Sequence, residues 1–188
     1  LQTVQPQAVI FVDSGSVDGS LDMADSFGWQ IIHYPAAEAF NYSKALNIGL
    51  ENCDTRHALL LSAHCLPTSI YAVQFLLESS EKYDAAGVFG RQIPTARSNA
   101  FDARDLLTVF GREEIVFNQY PFFHNAFSLI RMNVWHAIRF EEAINGIEDR
   151  IWAKTVCHQG QKIVYDPRAS VYHEHGLNQS LCEARASR

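Results

Sequence analysis

Long apolar runs are missing from this sequence, and so is an excess of positive charge. Among its 188 residues no stretch approaches the roughly 18 apolar residues of a membrane-spanning helix, and no charged, apolar and small-residue leader opens it. Its 15 Lys and Arg stand against 21 Asp and Glu, which argues against a general nucleic-acid binder because phosphate backbones attract clustered cations. We therefore expect no transmembrane segment and no nucleic-acid partner.

Cysteine, glycine and proline are also scarce. The four cysteines, at positions 53, 65, 157 and 182, form no Cys-x-x-Cys pair and fit no zinc-finger spacing. This pattern favours reduced thiols in a cytoplasmic protein, although a long-range disulfide stays open. Only 10 Gly and 6 Pro, with 12% aromatic residues, exclude collagen-like and disordered chains. The 47% of hydrophobic residues suffices for one domain with one sizeable core.

Apolar runs alternate with amphipathic segments along the chain. Continuous runs of β-branched and aromatic residues predict buried strands, and apolar residues three or four apart predict helices. The predicted strands are 8–12, 30–34, 58–62, 85–89, 126–131, 162–166 and 169–173. The predicted helices are 21–27, 41–52, 68–79, 102–110, 133–138 and 148–158, with a loop at 112–120. This alternation is typical of an α/β fold with a mainly parallel sheet and right-handed crossovers.

Polar residues follow two of these predicted strands. Asp13 opens a glycine-containing turn after the first strand, and His64 follows the third. Ligands of open α/β sheets bind beyond the carboxyl ends of the strands, so both side chains are candidates for a ligand site. Asp13 has a simpler interpretation as well, because an aspartate at this place can merely cap its turn.

Five segments, in this order along the chain, resemble the family 2 glycosyltransferases, and the bacterial rhamnosyltransferase-like members in particular. They are VIFVDSGSVDGS (9–20), FNYSKALNIGL (40–50), LLLSAHCLP (59–67), GIEDRIWAK (146–154) and IVYDPRASVYHEH (163–175). The resemblance implies a GT-A-type, mainly parallel sheet flanked by helices in a single domain over residues 1–188. Residues 1–90 would form the nucleotide-binding half and residues 91–178 the acceptor and catalytic half.

The sequence departs from the family pattern in two places. The family's first strand is missing, so the resemblance implies an N-terminally truncated domain in which residues 1–5 are the tail of the following helix. The family's metal-binding Asp-x-Asp is replaced by Ser62-Ala63-His64. A hydroxyl and an imidazole therefore stand where the family has two carboxylates.

The resemblance also implies how the donor is bound. Asp13 and Ser14 would contact the base and ribose, and Lys44 would approach the diphosphate, although Lys44 also fits an ordinary exposed lysine. Ser62 is a further candidate for substrate binding. A divalent metal, Mn²⁺ or Mg²⁺, would be held by His64 together with the two strand-spaced histidines His173 and His175. The alternative is that no metal binds and His64 contacts the diphosphate directly.

The acceptor side is implied by the later segments. The family places its catalytic base in an acidic pair, here Glu148 and Asp149, which makes Asp149 the base and leaves Glu148 to hold the acceptor or orient the base. A simpler interpretation is that both carboxylates only stabilise the first turn of a helix. Arg91, at the end of a predicted strand, and Asn125, just before another, are candidates for the acceptor side from their positions alone.

These roles predict a glycosyltransferase that moves a sugar from a nucleotide-sugar donor to a hydroxyl acceptor by inverting displacement, in bacterial surface polysaccharide synthesis. The acceptor would be a saccharide or lipid-linked. The location would be the cytoplasm, with peripheral contact at the inner face of the membrane. Two alternatives remain at this point: a nucleotidyltransferase of similar topology, and a non-catalytic nucleotide- or sugar-binding domain descended from a transferase.

Overall fold

Eight strands and six helices are present in the computed structural model, which describes residues 2–174. In chain order they are β1 (Ile10–Asp13), α1 (Ser20–Ser26), β2 (Gln30–His33), α2 (Tyr42–Glu51), β3 (His57–Leu61), β4 (Cys65–Pro67), α3 (Ala72–Tyr83), β5 (Gly87–Ile93), α4 (Ala100–Val109), β6 (Ile115–Phe117), β7 (Phe127–Arg131), α5 (Met132–Ala137), α6 (Glu148–His158) and β8 (Ile163–His173). Among these helices, none combines the length and the apolar character needed to cross a bilayer. The candidate ligand His175 lies outside the described residues.

Most predicted elements are present, and the differences fall at short or interrupted segments. The strands β4 and β6 were not predicted, and β6 lies inside the segment expected to be a loop. The two strands predicted at 162–166 and 169–173 are one strand, β8, whose pairing with β5 shifts register between Gly90 and Arg91. The helix expected at residues 1–5 is absent from residues 2–5, where Thr3 donates a hydrogen bond to the carbonyl of Ile70.

The sheet is mixed rather than mainly parallel, which corrects the prediction. Five strands run in the order β3-β7-β5-β8-β4, with β6 also paired to β8, while β1 and β2 form a separate parallel pair. Within the larger sheet only β5 and β8 are parallel; the other pairings are antiparallel. The alternation of strands and helices predicts that β3 and β5 run in the same direction, and they do. It does not predict that β7 lies between them and runs in the opposite direction.

The insertion of β7 brings two parts of the chain to one edge of the sheet. Leu61, at the carboxyl end of β3, pairs with Phe127, at the amino end of β7. Just beyond them, the backbone N–H of Ser62 donates to the carbonyl of Ala126 at 2.9 Å. The residues that precede β7 therefore lie beside those that follow β3.

The hydrophobic core occupies both faces of the sheet. Along β5, Val88 and Phe89 point to opposite faces and belong to two separate clusters. The Phe89 cluster includes residues of α2, α4, α5 and α6, and the Val88 cluster includes residues of α3. Burial of this apolar surface is the main force holding the layers together.

Helix α2 connects the β1–β2 pair to the rest of the molecule. Gly49 packs on β1, since a Cβ built there would lie 3.2 Å from Val12 Cγ2, and the next residue, Leu50, belongs to the Phe89 cluster. Asn47 donates from Nδ2 to the carbonyl of Phe140 at 2.9 Å. Helix α2 is thus bound both to the core and to the segment that leads into α6.

Candidate active site

Two buried carboxylates begin α6. Glu148 and Asp149 are 8% and 9% exposed. Glu148 Oε2 accepts the N–H of Gly146 at 3.0 Å, and Asp149 Oδ1 accepts the N–H of Arg150 at 2.7 Å. Burial raises the pKa of both carboxyl groups. Such a carboxylate, once ionised, is a stronger proton acceptor than an exposed one, which suits a general base.

Asn125 joins this pair to the sheet edge. Its backbone N–H donates to Asp149 Oδ2 at 3.4 Å, and its side-chain Oδ1 accepts the hydroxyl of Ser128 at 3.4 Å. Its Nδ2 is buried and has no hydrogen-bond partner within residues 2–174. The structure therefore brings Asn125 and Asp149 together, as expected if both face one substrate.

Three histidines gather at the same edge. The rings of His64 and His173 stack with centroids 4.7 Å apart, and the ring of His124 lies 6.1 Å from that of His173. His173, at the end of β8, is 2% exposed, whereas His64 is exposed. A tight turn, in which the N–H of Cys65 donates to the carbonyl of Ser62 at 2.9 Å, carries His64. His124 is adjacent in sequence to Asn125, which connects the histidines to Asp149.

Cys65 belongs to this group, and the sequence analysis missed it. Cys65 is buried and pairs directly with His173 across β4 and β8. The candidate ligand atoms of His64, Cys65 and His173 all lie within 4.8 Å of one another. Burial raises the pKa of the Cys65 thiol to about 12. Recognising Cys65 required strand β4, which is too short to leave a periodic pattern in the sequence.

Asp13 stabilises the turn that follows β1. Its Oδ2 accepts the N–H of Gly15 and its Oδ1 the N–H of Ser16, both at 3.0 Å, and His33 Nδ1 lies 3.5 Å from Oδ2. Hydrogen bonding from Ser16 is the main reason that the pKa of Asp13 is lowered. The simpler interpretation of Asp13 is thus present in the structure. Contact with a nucleotide stays a prediction, as it does for the exposed Ser14.

Lys44 and Arg91 are engaged by neighbouring protein groups. Lys44 forms an ion pair with Glu38, which raises the pKa of the lysine. Arg91 donates from Nε to the carbonyl of Phe110 at 3.2 Å, at the end of α4. The roles of Lys44 at the diphosphate and of Arg91 at the acceptor therefore stay predictions.

The segment before α6 is bound to the start of α2, which also carries Lys44. Asn41 Nδ2 donates to the carbonyl of Glu142 at 2.9 Å, and the N–H of Tyr42 donates to Asn145 Oδ1 at 3.0 Å. These contacts hold the segment that leads into α6 against the start of α2. No pattern in the sequence indicated them, since they join residues about one hundred positions apart.

The structure thus gathers several of the candidate residues into one group at the sheet edge and places three others elsewhere. The group at the sheet edge comprises Ser62, His64, Asn125, Asp149 and His173, together with Cys65 and His124. Asp13 lies with His33 at the end of β1, Lys44 with Glu38 on α2, and Arg91 beside the end of α4.

Comparison with known sequences identifies relatives over most of the chain. A family model described as glycosyl transferase family 2 matches residues 1–139. The O-antigen chain rhamnosyltransferase WbaN of Salmonella anatum is 28% identical over 187 residues, and RfbN of Salmonella typhimurium is 24% identical over 185 residues. Each alignment covers 93% of this chain but only 58% and 59% of the two relatives, so the chain spans little more than half their length.

Solved structures of low sequence identity share the fold. The mannosyltransferase PcManGT from Pyrobaculum calidifontis, in complex with GDP-Man and Mn²⁺, superposes with a TM-score of 0.68 at 15% identity over 95% of this chain and 51% of its own. Glucosyl-3-phosphoglycerate synthase from Mycobacterium tuberculosis gives 0.64 at 13% identity over 93% of this chain and 64% of its own. These likenesses confirm the GT-A fold that the sequence predicted.

The family match ends before α6 and β8, so it does not include Asp149 or His173. It nevertheless covers well over half of the chain and includes the first three of the five motifs. This chain therefore belongs to glycosyl transferase family 2.

Proposed function

We propose that this protein transfers a sugar from a nucleotide-sugar donor to a hydroxyl group of a saccharide or lipid-linked acceptor, with inversion, in the synthesis of a bacterial surface polysaccharide. Family membership and the two O-antigen rhamnosyltransferase relatives support the class of reaction. The observation that carries the proposal is the buried carboxylate of Asp149 beside Asn125, next to the histidine group.

Asp149 acts as the general base. In its ionised form it accepts the proton of the acceptor hydroxyl while that oxygen attacks the anomeric carbon, and the nucleoside diphosphate leaves from the opposite face. The bond between Asp149 and the N–H of Asn125 holds the carboxylate in place. Glu148, which accepts the N–H of Gly146, fixes the start of α6 and orients the base or the acceptor.

The donor side is formed by the remaining candidates. Asp13 and Ser14 bind the base and ribose, and Lys44 and Ser62 approach the diphosphate. A divalent ion bound by His64 and His173 would supply positive charge against the departing diphosphate. The family resemblance predicts Mn²⁺ or Mg²⁺ in this role, and PcManGT was solved with Mn²⁺, but the nitrogen and sulfur donors at this edge of the sheet suit a softer divalent ion better. His175, outside the described residues, is a further candidate ligand.

The proposal places the reaction in the cytoplasm, at the inner face of the membrane if the acceptor is lipid-linked. The sequence alternative of a nucleotidyltransferase gains no support from the family match. The alternative of a non-catalytic binding domain is favoured by one observation, the loss of the carboxylates at Ser62 and His64. Transfer activity separates it from the proposal.

The test is a transfer assay on the protein with a panel of sugar nucleotides and saccharide acceptors, together with calorimetric titration of nucleoside diphosphates. We expect one donor to be consumed with release of its nucleoside diphosphate only when an acceptor is present. Diphosphate binding without any transfer would favour the non-catalytic module. Absence of both would contradict the proposal.

A further inference from the structure

The group of His64, Cys65 and His173 contains the wrong donors for a hard cation. Mg²⁺ requires oxygen ligands in near-octahedral geometry, and Mn²⁺ is best served by carboxylates. Here two imidazole nitrogens and one thiol sulfur lie within 4.8 Å of one another, and no carboxylate of residues 2–174 joins them. The nearby Glu174 accepts a hydrogen bond from Thr95 Oγ1 at 3.2 Å instead.

We infer that His64, Cys65 and His173 form a site for a thiophilic divalent ion of the Zn²⁺ class, with Cys65 as a thiolate ligand and the fourth position open. The inference rests on the proposed function in one respect: the bound metal would serve sugar transfer at the same edge of the sheet. When the sulfur–metal bond forms, the thiol proton of Cys65 passes to solvent. Two nitrogens and one sulfur are a donor set that selects zinc or cobalt over magnesium.

The fold fixes two of the three ligands. Cys65 and His173 are directly opposite each other on β4 and β8, and side chains at such positions lie on one face of the sheet. His64 is the adjustable ligand, because it is exposed on the turn before β4. Tetrahedral zinc places its nitrogen and sulfur ligands roughly 3.4–3.6 Å apart. A shift of about 1 Å, mostly of the His64 ring out of its stack on His173, therefore closes the site.

A buried amide supplies a second observation. Gln92 is 1% exposed, and neither its Nε2 nor its Oε1 has a hydrogen-bond partner among the described residues. Gln92, on β5, pairs with Val171 of the parallel strand β8. Val171 and His173 are two residues apart on β8 and so lie on the same face, which places Gln92 on the face of His173 as well. Leaving such an amide unpaired costs free energy. Gln92 is therefore a candidate outer hydrogen-bond partner for the proposed ligands, since metal-bound side chains commonly have such neighbours.

The experiment titrates the chelator-treated protein with Co²⁺, a spectroscopic substitute for Zn²⁺, and follows the absorbance. We expect near-ultraviolet sulfur-to-cobalt charge transfer, visible bands of tetrahedral intensity, and displacement of Co²⁺ by Zn²⁺ but not by equal Mg²⁺ or Mn²⁺. Cys65→Ala should abolish the charge-transfer band. His64→Ala should weaken Co²⁺ binding at least about 100-fold, more than the loss of an outer neighbour.

Cys157→Ala is the matched control, since Cys157 is also a buried free thiol but contacts the carbonyl of Phe117 away from the site. It should retain both the band and the affinity. The inference is overturned if Co²⁺ does not bind, if the band survives in Cys65→Ala, or if Mn²⁺ displaces Co²⁺ as well as Zn²⁺ does. Each result is read from metal binding alone. A negative metal titration therefore does not count against the proposed transfer reaction, and a negative transfer assay does not count against the metal site.

Discussion

At the scale of single residues, burial gives Asp149 two opposing effects. Desolvation raises the pKa of its carboxyl group, which strengthens the ionised form as a base. The same desolvation makes the ionised form costly in the folded protein, because a buried charge loses its hydration. A residue retained for its chemistry is expected to lower stability at neutral pH.

Asp149→Asn should therefore stabilise the fold at neutral pH, with a gain on the order of 1 kcal/mol in the free energy of unfolding. The folded-state pKa of Asp149 lies above its unfolded value. The protonated carboxyl group of Asp149 therefore contributes stability that is present at low pH and is lost as the pH rises through the folded-state pKa. Urea denaturation of both proteins at about pH 4 and pH 7 measures this. A smaller gain at pH 7 than at pH 4 would contradict it.

A second prediction at this scale concerns Gly90 on β5. A Cβ there would lie 2.4 Å from the carbonyl oxygen of Ala169 and 2.6 Å from Phe127 Cδ1, because β5, β7 and β8 approach closely at that point. Gly90→Ala should lower the free energy of unfolding by about 1–3 kcal/mol, the usual cost of overpacking. Gly111→Ala is the control, since a Cβ at Gly111 meets no atom of the described residues within 4 Å. Equal denaturation midpoints for the two variants would refute the argument.

At the scale of elements, the length of each segment decided whether the sequence predicted it. Helices such as α6 and strands such as β7 were predicted because an amphipathic or apolar pattern extends over several residues. Strands β4 and β6 have three residues each, and such a stretch carries no period. Strand β8 was divided in two because Pro167 interrupts it at the register shift, and proline cannot donate to a ladder.

The connection between α2 and the segment before α6 gives the element-scale prediction. Asn47 accepts the indole N–H of Trp135 at 3.2 Å and the N–H of Phe140 at 3.3 Å, besides donating to Phe140 and Glu142. Asn47→Ala leaves several buried groups unpaired and should lower the free energy of unfolding by about 2–4 kcal/mol. Transfer should fall as well, because the segment leading to Asp149 loses part of its attachment to α2.

Asn52→Ala serves as the control at the end of that helix, since the exposed side chain of Asn52 donates to the carbonyl of Ile48 one turn earlier and accepts one long hydrogen bond, of 3.4 Å, from Gln30. Its denaturation midpoint should stay near that of the wild type. If Asn47→Ala is as stable as Asn52→Ala, the polar contacts of Asn47 do not hold the two elements together.

At the scale of the whole molecule, the sheet explains which parts of the site were predictable. The motifs pointed to His64, Asp149 and His173, while Asn125 was a candidate from its position before a predicted strand; the fold brings all four to one edge of the sheet. Cys65 could not be found, because its position opposite His173 follows from strand pairing and not from local pattern. The division into halves at 90/91 falls within β5, and stays a prediction.

The convergence of distant segments on one edge of the sheet leads to the most direct test, which is the transfer rate of Asp149→Asn under donor saturation. The asparagine keeps the shape of Asp149 but cannot accept the acceptor proton, so we predict a fall in transfer of at least about 100-fold. Donor affinity should stay unchanged. Asp105→Asn, an exposed acid on α4, should transfer at the wild-type rate. Near wild-type transfer by Asp149→Asn would contradict the assignment of the base and the account of this site.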